Sequence, residues 1–391
     1  MRILTRYVLN EVGHVFLLAL VSLTTLIMLV GVTKEALQQG LGLQQMAQLI
    51  PYLLPSALLY SVPGTILFAV AIVYGRMAGT NEVVAIKSLG ISPMAFLWPT
   101  ILLSVVLSFI TVWLNDVAMT WSYFGVQRVV IDAVEDIIYG ILRSQHSYSN
   151  RALSITVKRV EGRILIRPTF TFQANGDTPA VTISSEEAEL RSNPGSGVLT
   201  IICRNGTVDV GGATFDFPDT IEREIPLDEG GQKTTPAAHT ALSAIPEQII
   251  KQRQNVNRFE KLMGAEAGYE LLTGDFGSVA SGGWDQRVHA LQEEKWQLHR
   301  LMTEQPRRWA NGFSCLCFAL VGACLAIQLR NSDPLAVFFR CFGLILLIYY
   351  PLLMYGVDRA KSGSVSPYMV WLGNVILLFW GLWLLRKVLR Y

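Results

Sequence analysis

Charge is scarce in this chain. Of its 391 residues only 16% are Asp, Glu, Lys or Arg, while 51% are hydrophobic, and the apolar residues are bunched rather than spread. That distribution belongs to a membrane protein. The net charge of +2, with no Lys/Arg-rich block, gives nucleic acid nothing to grip. Catalytic motifs are missing as well. No G-x-x-x-x-G-K-[ST] loop is present to cradle phosphates, no H-E-x-x-H, and no G-x-S-x-G. The five histidines (His14, His146, His239, His289, His299) stand without ligand spacing. Cysteine is sparse and odd in number: Cys203, Cys315, Cys317, Cys324 and Cys341, the last four inside apolar runs, read as buried small apolar residues. Asp and Glu are nearly absent from the long apolar stretches, which leaves an ion-driven proton relay nothing to run on. An enzyme and a secondary transporter are thereby disfavoured, and the energy for any work must come from another chain.

A helix that crosses the hydrocarbon core needs ~20 mainly apolar residues. Six stretches meet that need: about 13–33, 52–74, 94–114, 309–329, 335–355 and 367–385. The first is longer than the apolar core of a secretory signal and has no cleavage site after it, so it reads as a retained span. Short flanks rich in Lys and Arg face the cytoplasm. Arg2, Arg6, Arg76, Lys87, Arg330, Arg340, Arg386, Lys387 and Arg390 collect on one side, against Lys34, Arg359 and Lys361 on the other. Both termini are therefore expected in the cytoplasm, with Arg340 snorkelling back to that interface. Residues 115–308 form a long external segment, for which the nearby Arg307 and Arg308 count little.

Within that segment the pattern is helical from Asn115 to Arg143 and then alternates with period two. In "ALSITVKRVEGRILI", Leu153, Ile155 and Val157 face one side, Glu161-Gly162 makes a turn, and Ile164 and Ile166 resume the inward row. In "LTIICRNGTVDVGGATFDF" the Asn205-Gly206 dipeptide suits the tight turn of a hairpin. An antiparallel β-domain over about 144–226 follows from this, then a linker at 228–238 and a helical pair over 246–304. In the pair, Pro246 sits at a first helical position, and Ile249, Val256, Phe259 and Met263 are matched by Trp284, Val288, Leu291, Leu298 and Met302 across a Gly-rich break at 274–283.

The stretch "YGRMAGTNEVVAIKSLGIS", from Tyr74 to Ser92, divides the second span from the third and is too polar to cross a bilayer. Thr80 or Asn81 can cap a helix there, Gly90 offers a left-handed stop, and Pro93 blocks continuation into the third span. A helix of about two turns within 80–90 results. Val83, Ile86 and Leu89 or Gly90 are expected to face the membrane part, with Glu82 at the positive end of the helix dipole. Either it is a solvated connector or it is a lever that docks on a cytoplasmic motor.

At these residues the chain resembles the LptF/LptG permeases of lipopolysaccharide export. The resemblance rests on three plus three spans around an external β-domain and on "RMAGTNEVVAIKSLGIS". It extends to "LHRLMTEQPRRWANGFSCLCFALVGACLAIQLR" and "SPYMVWLGNVILL" in the later spans. It implies an α-helical membrane protein of six transmembrane helices, in halves 1–114 and 309–391, with an inserted jelly-roll-like domain plus the helical pair. The partners it implies are an LptB-like ABC ATPase dimer, a second permease subunit (paralogue or identical), LptC/LptA-like periplasmic bridge proteins, and lipopolysaccharide or a similar lipid. No cofactor is expected on this chain, since ATP and magnesium belong to the ATPase. Glu82 matches the family's coupling-helix carboxylate, framed by Arg76, Asn81 and Gly90, and Lys34 in "LVGVTKEAL" resembles a basic residue near lipid phosphates. The fourth span lacks an expected proline in "LVGACLAIQLR", and whether the chain is the F-like or the G-like partner stays open. Two other functions compete: another ABC-linked permease or mechanotransmitter, and a non-transporting scaffold or receptor.

Overall fold

Inside a bilayer no water is available to backbone N–H and C=O groups, so long apolar runs close their hydrogen bonds internally as helices. The computed structural model describes residues 2–39, 43–149, 153–172, 181–193, 198–210, 213–226, 237–274, 282–329 and 333–390. The expected linker at 228–238 and the break at 274–283 lie mostly outside them. Among the described residues six helices are long and apolar enough to span a membrane. They begin with α1 (Arg2–Gln39), α2 (Leu43–Gly79) and α4 (Met94–Val117), with the short α3 (Glu82–Ser88) between the last two. A π-helical turn (Ala118–Ser122) joins α4 to α5 (Tyr123–Gln145). After the sheet and a 3-10 turn (Ala237–His239) come α6 (Ile245–Thr273), α7 (Gly282–Gln328) and α8 (Pro334–Lys361). A second 3-10 turn (Pro367–Trp371) leads into α9 (Leu372–Arg390). The chain falls into two compact units, residues 1–28, 54–122 and 235–391 in one and 29–53 and 123–234 in the other.

The first unit is the helix bundle. Its core draws Val8, Val12 and Phe16 from α1, Ile66, Val70, Tyr74 and Met77 from α2, and Phe96 and Leu97 from α4. Phe318, Val321 and Cys324 of α7, Ile345 and Tyr349 of α8, and Leu377 of α9 complete it. All five cysteines are free and buried, as small apolar residues would be. The seam between α4 and α7 is built from small residues, because hydrocarbon offers helices no hydrophobic drive to associate and close backbone approach must supply the contact. Ser104, Ser108 and Thr111 line α4 and bond to their own helix or to Cys315 of α7, and Gly312 of α7 lies where any Cβ would strike Val112 and the Ser108 carbonyl. Elsewhere polar side chains are spent on backbone: Tyr74 Oη lies 2.8 Å from the Phe96 carbonyl and 2.7 Å from Thr100 Oγ1, and Asn374 Nδ2 donates to the Ala310 carbonyl at 2.7 Å.

The paired helices after the linker are also in this unit. α6 starts with Pro in its first turn and stops at Gly274, which takes φ 74. The second helix of the pair is not separate from the fourth span: α7 runs 47 residues through both. The two helices meet through Arg287–Glu266, Lys295–Glu260 and Gln252 on the Glu294 carbonyl, besides buried Ile245 and Val256. Phe259, expected in the shared face, is 41% exposed.

The second unit carries one curled antiparallel sheet of eight strands. They are β1 (Ser147–Ser149), β2 (Leu153–Thr156), β3 (Arg159–Glu161), β4 (Ile164–Ile166), β5 (Thr169–Phe172), β6 (Val181–Asn193), β7 (Val198–Val210) and β8 (Ala213–Pro226). β6 is central, pairing with β4 and β5 along one side and with β7 along the other, and β8 adds to β7. Leu153, Ile155, Leu165, Phe170, Ile183, Leu190, Leu199 and Cys203 form its core with Ile138, Tyr139 and Leu142 of α5.

Two expectations for the sheet are corrected. Asn205-Gly206 is not a hairpin turn, since β7 passes straight through it and stays paired with β6 on both sides. Asn205 takes φ 49 and Gly206 lies so close to Ser184 and Ser185 that a Cβ has no room, while the pairing with β8 slips by one residue between Arg204 and Gly206. The dipeptide's left-handed preference serves a bulge. Nor do Ile164 and Ile166 point inward; Leu165 does, fully buried, while Ile164 is 41% exposed. Both corrections have one cause. Along β6 the buried row is Ile183 and Ser185 and then Ala188 and Leu190, a change of parity; along β7 it is Leu199, Ile201 and Cys203, followed by partly buried Val208 packed on the same core. Between β4 and β5 the parity changes from Leu165 to Phe170 across Arg167, which takes φ 48. The irregularities fall at one level on adjacent strands, because Ser185 pairs with Gly206 and its N–H donates to the Pro168 carbonyl. A crease runs across the sheet there and lets one face stay inward as the sheet curls.

Tyr139 anchors α5 to the sheet by donating to the Arg163 carbonyl at 2.6 Å and accepting from the Leu190 N–H at 2.9 Å, and burial pushes its hydroxyl pKa up. Tyr139→Phe strands that N–H in the core, at a cost of about 1–3 kcal/mol. Faster hydrogen exchange along β6 in the full-length protein is the expected result. Gly312→Leu pushes α4 and α7 apart at about 1–3 kcal/mol or more. It should lower the thermal midpoint in detergent by several degrees, whereas Gly343→Ala, where nothing crowds the position, should not.

Candidate functional site

α2 ends where Thr80 and Asn81 turn the chain into α3. The Thr80 N–H donates to the Arg76 carbonyl at 2.9 Å. Asn81 takes φ 61 and its side chain makes no cap bond; the Thr80 hydroxyl lies 2.9 Å from Glu82 Oε1 and 3.0 Å from the Arg76 carbonyl, two acceptors for its one proton. Neither residue caps α3 in the expected manner, because a left-handed Asn81 makes the sharp corner itself and Thr80 is taken up by the helix behind it. At the other end the expectation for Gly90 holds. Gly90 takes φ 75, its N–H donates to the Lys87 carbonyl at 2.9 Å, and the Ile91 N–H reaches the Ile86 carbonyl at 3.3 Å. These are the two bonds of a Schellman stop. Pro93 then opens α4.

One face of α3 is packed and the other is bare. Val83 is buried and Ile86 rests on the bundle core, whereas Val84 is 45% exposed and Leu89 76% exposed. Leu89, considered above for the packed face, points away because the chain reverses at that residue. Glu82 is half-buried at the first position, held by Thr80.

Polar tethers bracket the helix. Arg76, in the last turn of α2, forms an ion pair with Glu11 of α1 at 2.7 Å. Lys87, in the last turn of α3, donates to the Val388 carbonyl of α9 at 2.9 Å, and burial lowers its pKa. A cation there also meets the negative end of the α9 dipole. The corner between α2 and α4 is thus tied to the first and last helices of the bundle. Sequence reading did not find Glu11 or the use of Lys87. Glu11 could have been noticed as an acid at the edge of the first apolar run, since such residues keep a partner; a carbonyl acceptor such as Val388 has no sequence signal.

Lys34 is exposed on α1 and lies in the other compact unit. It is not gathered with Arg76, Asn81, Glu82 and Gly90. Among the described residues no group of three or more His, Cys, Asp or Glu stands close enough to hold a metal ion.

With a curled sheet inserted between two triplets of spans and a short pinned helix at the 2–3 corner, comparison with known proteins is informative. A search of curated proteins found no match. The sequence profile of the family described as lipopolysaccharide export system permease LptF/LptG matches residues 6–387, nearly the whole chain. The chain belongs to the LptF/LptG family of membrane permease subunits for lipopolysaccharide export.

Proposed function

We propose that this chain is one permease subunit of an exporter that extracts lipopolysaccharide or a similar glycolipid from the inner membrane, powered by a separate LptB-like ATPase dimer. The observation that carries this reading is α3. It is stopped at Gly90, cornered at Asn81, held by Arg76 and Lys87, and yet leaves Val84 and Leu89 exposed, with half-buried Glu82 at its first position. The two aliphatic side chains on this pinned helix offer a partner apolar surface to dock on. In this reading both termini and α3 are cytoplasmic, and the sheet is a jelly-roll-like periplasmic domain that passes lipid to LptC/LptA-like bridge proteins.

The first and fifth spans fit a role at a lateral entrance and a subunit border. Only 17% of the apolar window of the first and 22% of the fifth is covered within the chain, against 78% for the fourth. A second permease subunit, paralogue or identical, would face them across the lipid path. Closure of the ATPase pair pushes α3, narrows that cavity and drives the lipid outward. Lys34, exposed at the far end of the first span, would meet lipid phosphate there, since an ammonium at the rim of a low-dielectric cavity attracts phosphate strongly. Hydrolysis itself belongs to the partner.

Glu82→Lys removes a charge contact with the ATPase and costs about 2 kcal/mol or more of affinity, tens of fold in dissociation constant. Titrating the ATPase against permease in nanodiscs measures it. Unchanged affinity and unchanged lipid-stimulated hydrolysis would favour a scaffold or receptor instead. Lys34→Glu is expected to weaken retention of copurifying lipid, seen by mass spectrometry, more at low salt than at high because screening already erodes the attraction. Equal retention at both ionic strengths would make Lys34 an interface anchor.

A further inference from the structure

Arg308 is the largest fully buried side chain among the described residues and has no part in the lever just described. Its guanidinium binds three acceptors on two separate pieces of chain. Nη1 donates to Asp116 Oδ1 at 2.7 Å, and Nη2 donates to the carbonyls of Ala238 at 3.0 Å and Thr240 at 2.7 Å. The same Asp116 oxygen also accepts the Leu242 N–H at 2.7 Å. His239, between the two carbonyls, lies with Nδ1 3.0 Å from the Met119 carbonyl, inside the π turn that follows α4. Thr240 then donates through Oγ1 to Gln248 of α6 at 3.0 Å.

These contacts are placed at a particular point on the chain. Residues 123–234 make up the excursion that carries the sheet, leaving the bundle unit just after the π turn and returning to it at Thr235. Asp116 and Met119 immediately precede the departure, and Ala238, His239, Thr240 and Leu242 immediately follow the return. Both feet of the excursion are therefore bound to one side chain of α7. A helix with a π turn is wound more loosely there, and such turns mark places where a helix is made to adjust.

Only the Arg308 side of this ion pair is fully buried, Asp116 staying 31% exposed, and burying a charge is a poor way to gain stability because an apolar side chain of similar size would serve as well. What an apolar pair cannot do is hold two backbone carbonyls and a carboxylate at fixed angles; the planar fork of an arginine can. We propose that Arg308 and Asp116 are positioning residues, a tether that makes both feet of the sheet-bearing excursion move with the ends of α4 and α7. Resting on the permease reading above, the tether delivers displacement of those two helices to the excursion during each transport cycle.

Asp116→Asn tests this in the full-length chain, because Asn keeps an acceptor for Leu242 while losing the charge that Arg308 needs. Arg308→Lys keeps the positive charge and loses the fork. In both variants hydrogen exchange at residues 237–245 and in the π turn should accelerate about tenfold or more, with exchange within 94–114 and 312–328 unchanged. With the ATPase assembled, ATP hydrolysis should persist while transfer of labelled lipopolysaccharide from proteoliposomes to a soluble bridge protein falls several-fold. Unaltered exchange at the strap, or loosening spread evenly over the bundle, overturns the tether. A loosened strap with full transfer overturns its role in the cycle. If the wild-type complex itself shows no ATP-dependent transfer, it is the permease reading that fails, and the exchange experiment still decides on the tether.

Discussion

Charge expelled from a low-dielectric helix bundle has to collect at the bundle's ends, and the polar structure of this protein is organised around that expulsion. At one end Arg76 finds Glu11 and Lys87 finds the last carbonyls of α9. At the other, Arg308 finds Asp116 and two carbonyls of the returning strap. Between them the bundle is mostly apolar, and its buried hydroxyls bond to their own helix or, as Tyr74 does with Phe96 and Thr100, to a neighbouring one.

The packing suits that division. Gly312 and the small residues of α4 let α4 and α7 touch along their backbones, so the third and fourth spans behave as one stiff pair. The first and fifth spans are covered far less.

The sheet meets a different constraint. To curl while keeping one face dry, its strands must change which alternate residues point inward, and they must do so together or lose their pairing. Arg167, Asn205 and Gly206 accomplish that with left-handed backbone and a missing Cβ, on neighbouring strands at one level. The β6–β7 pairing remains in register through the crease because both strands switch there.

Much of this was legible in residues 1–391 read as a string. Six spans, the change to period two after Arg143, the stop at Gly90 and the short helix after Asn81 follow from hydrophobic period and from glycine's tolerance of positive φ, which are properties of neighbours along the chain. What the string left undecided depends on partners distant in sequence. Asn205-Gly206 reads as a turn until β6 and β8 are seen on either side of it, and Leu165 and Ile164 are told apart only by the crease. Glu11 and Arg76 are 65 residues apart, and Arg308 lies 192 residues from Asp116. Local composition sets how a segment can bend, whereas the pairing of charges and carbonyls across such distances exists only after helices have packed, and tertiary structure alone decided it.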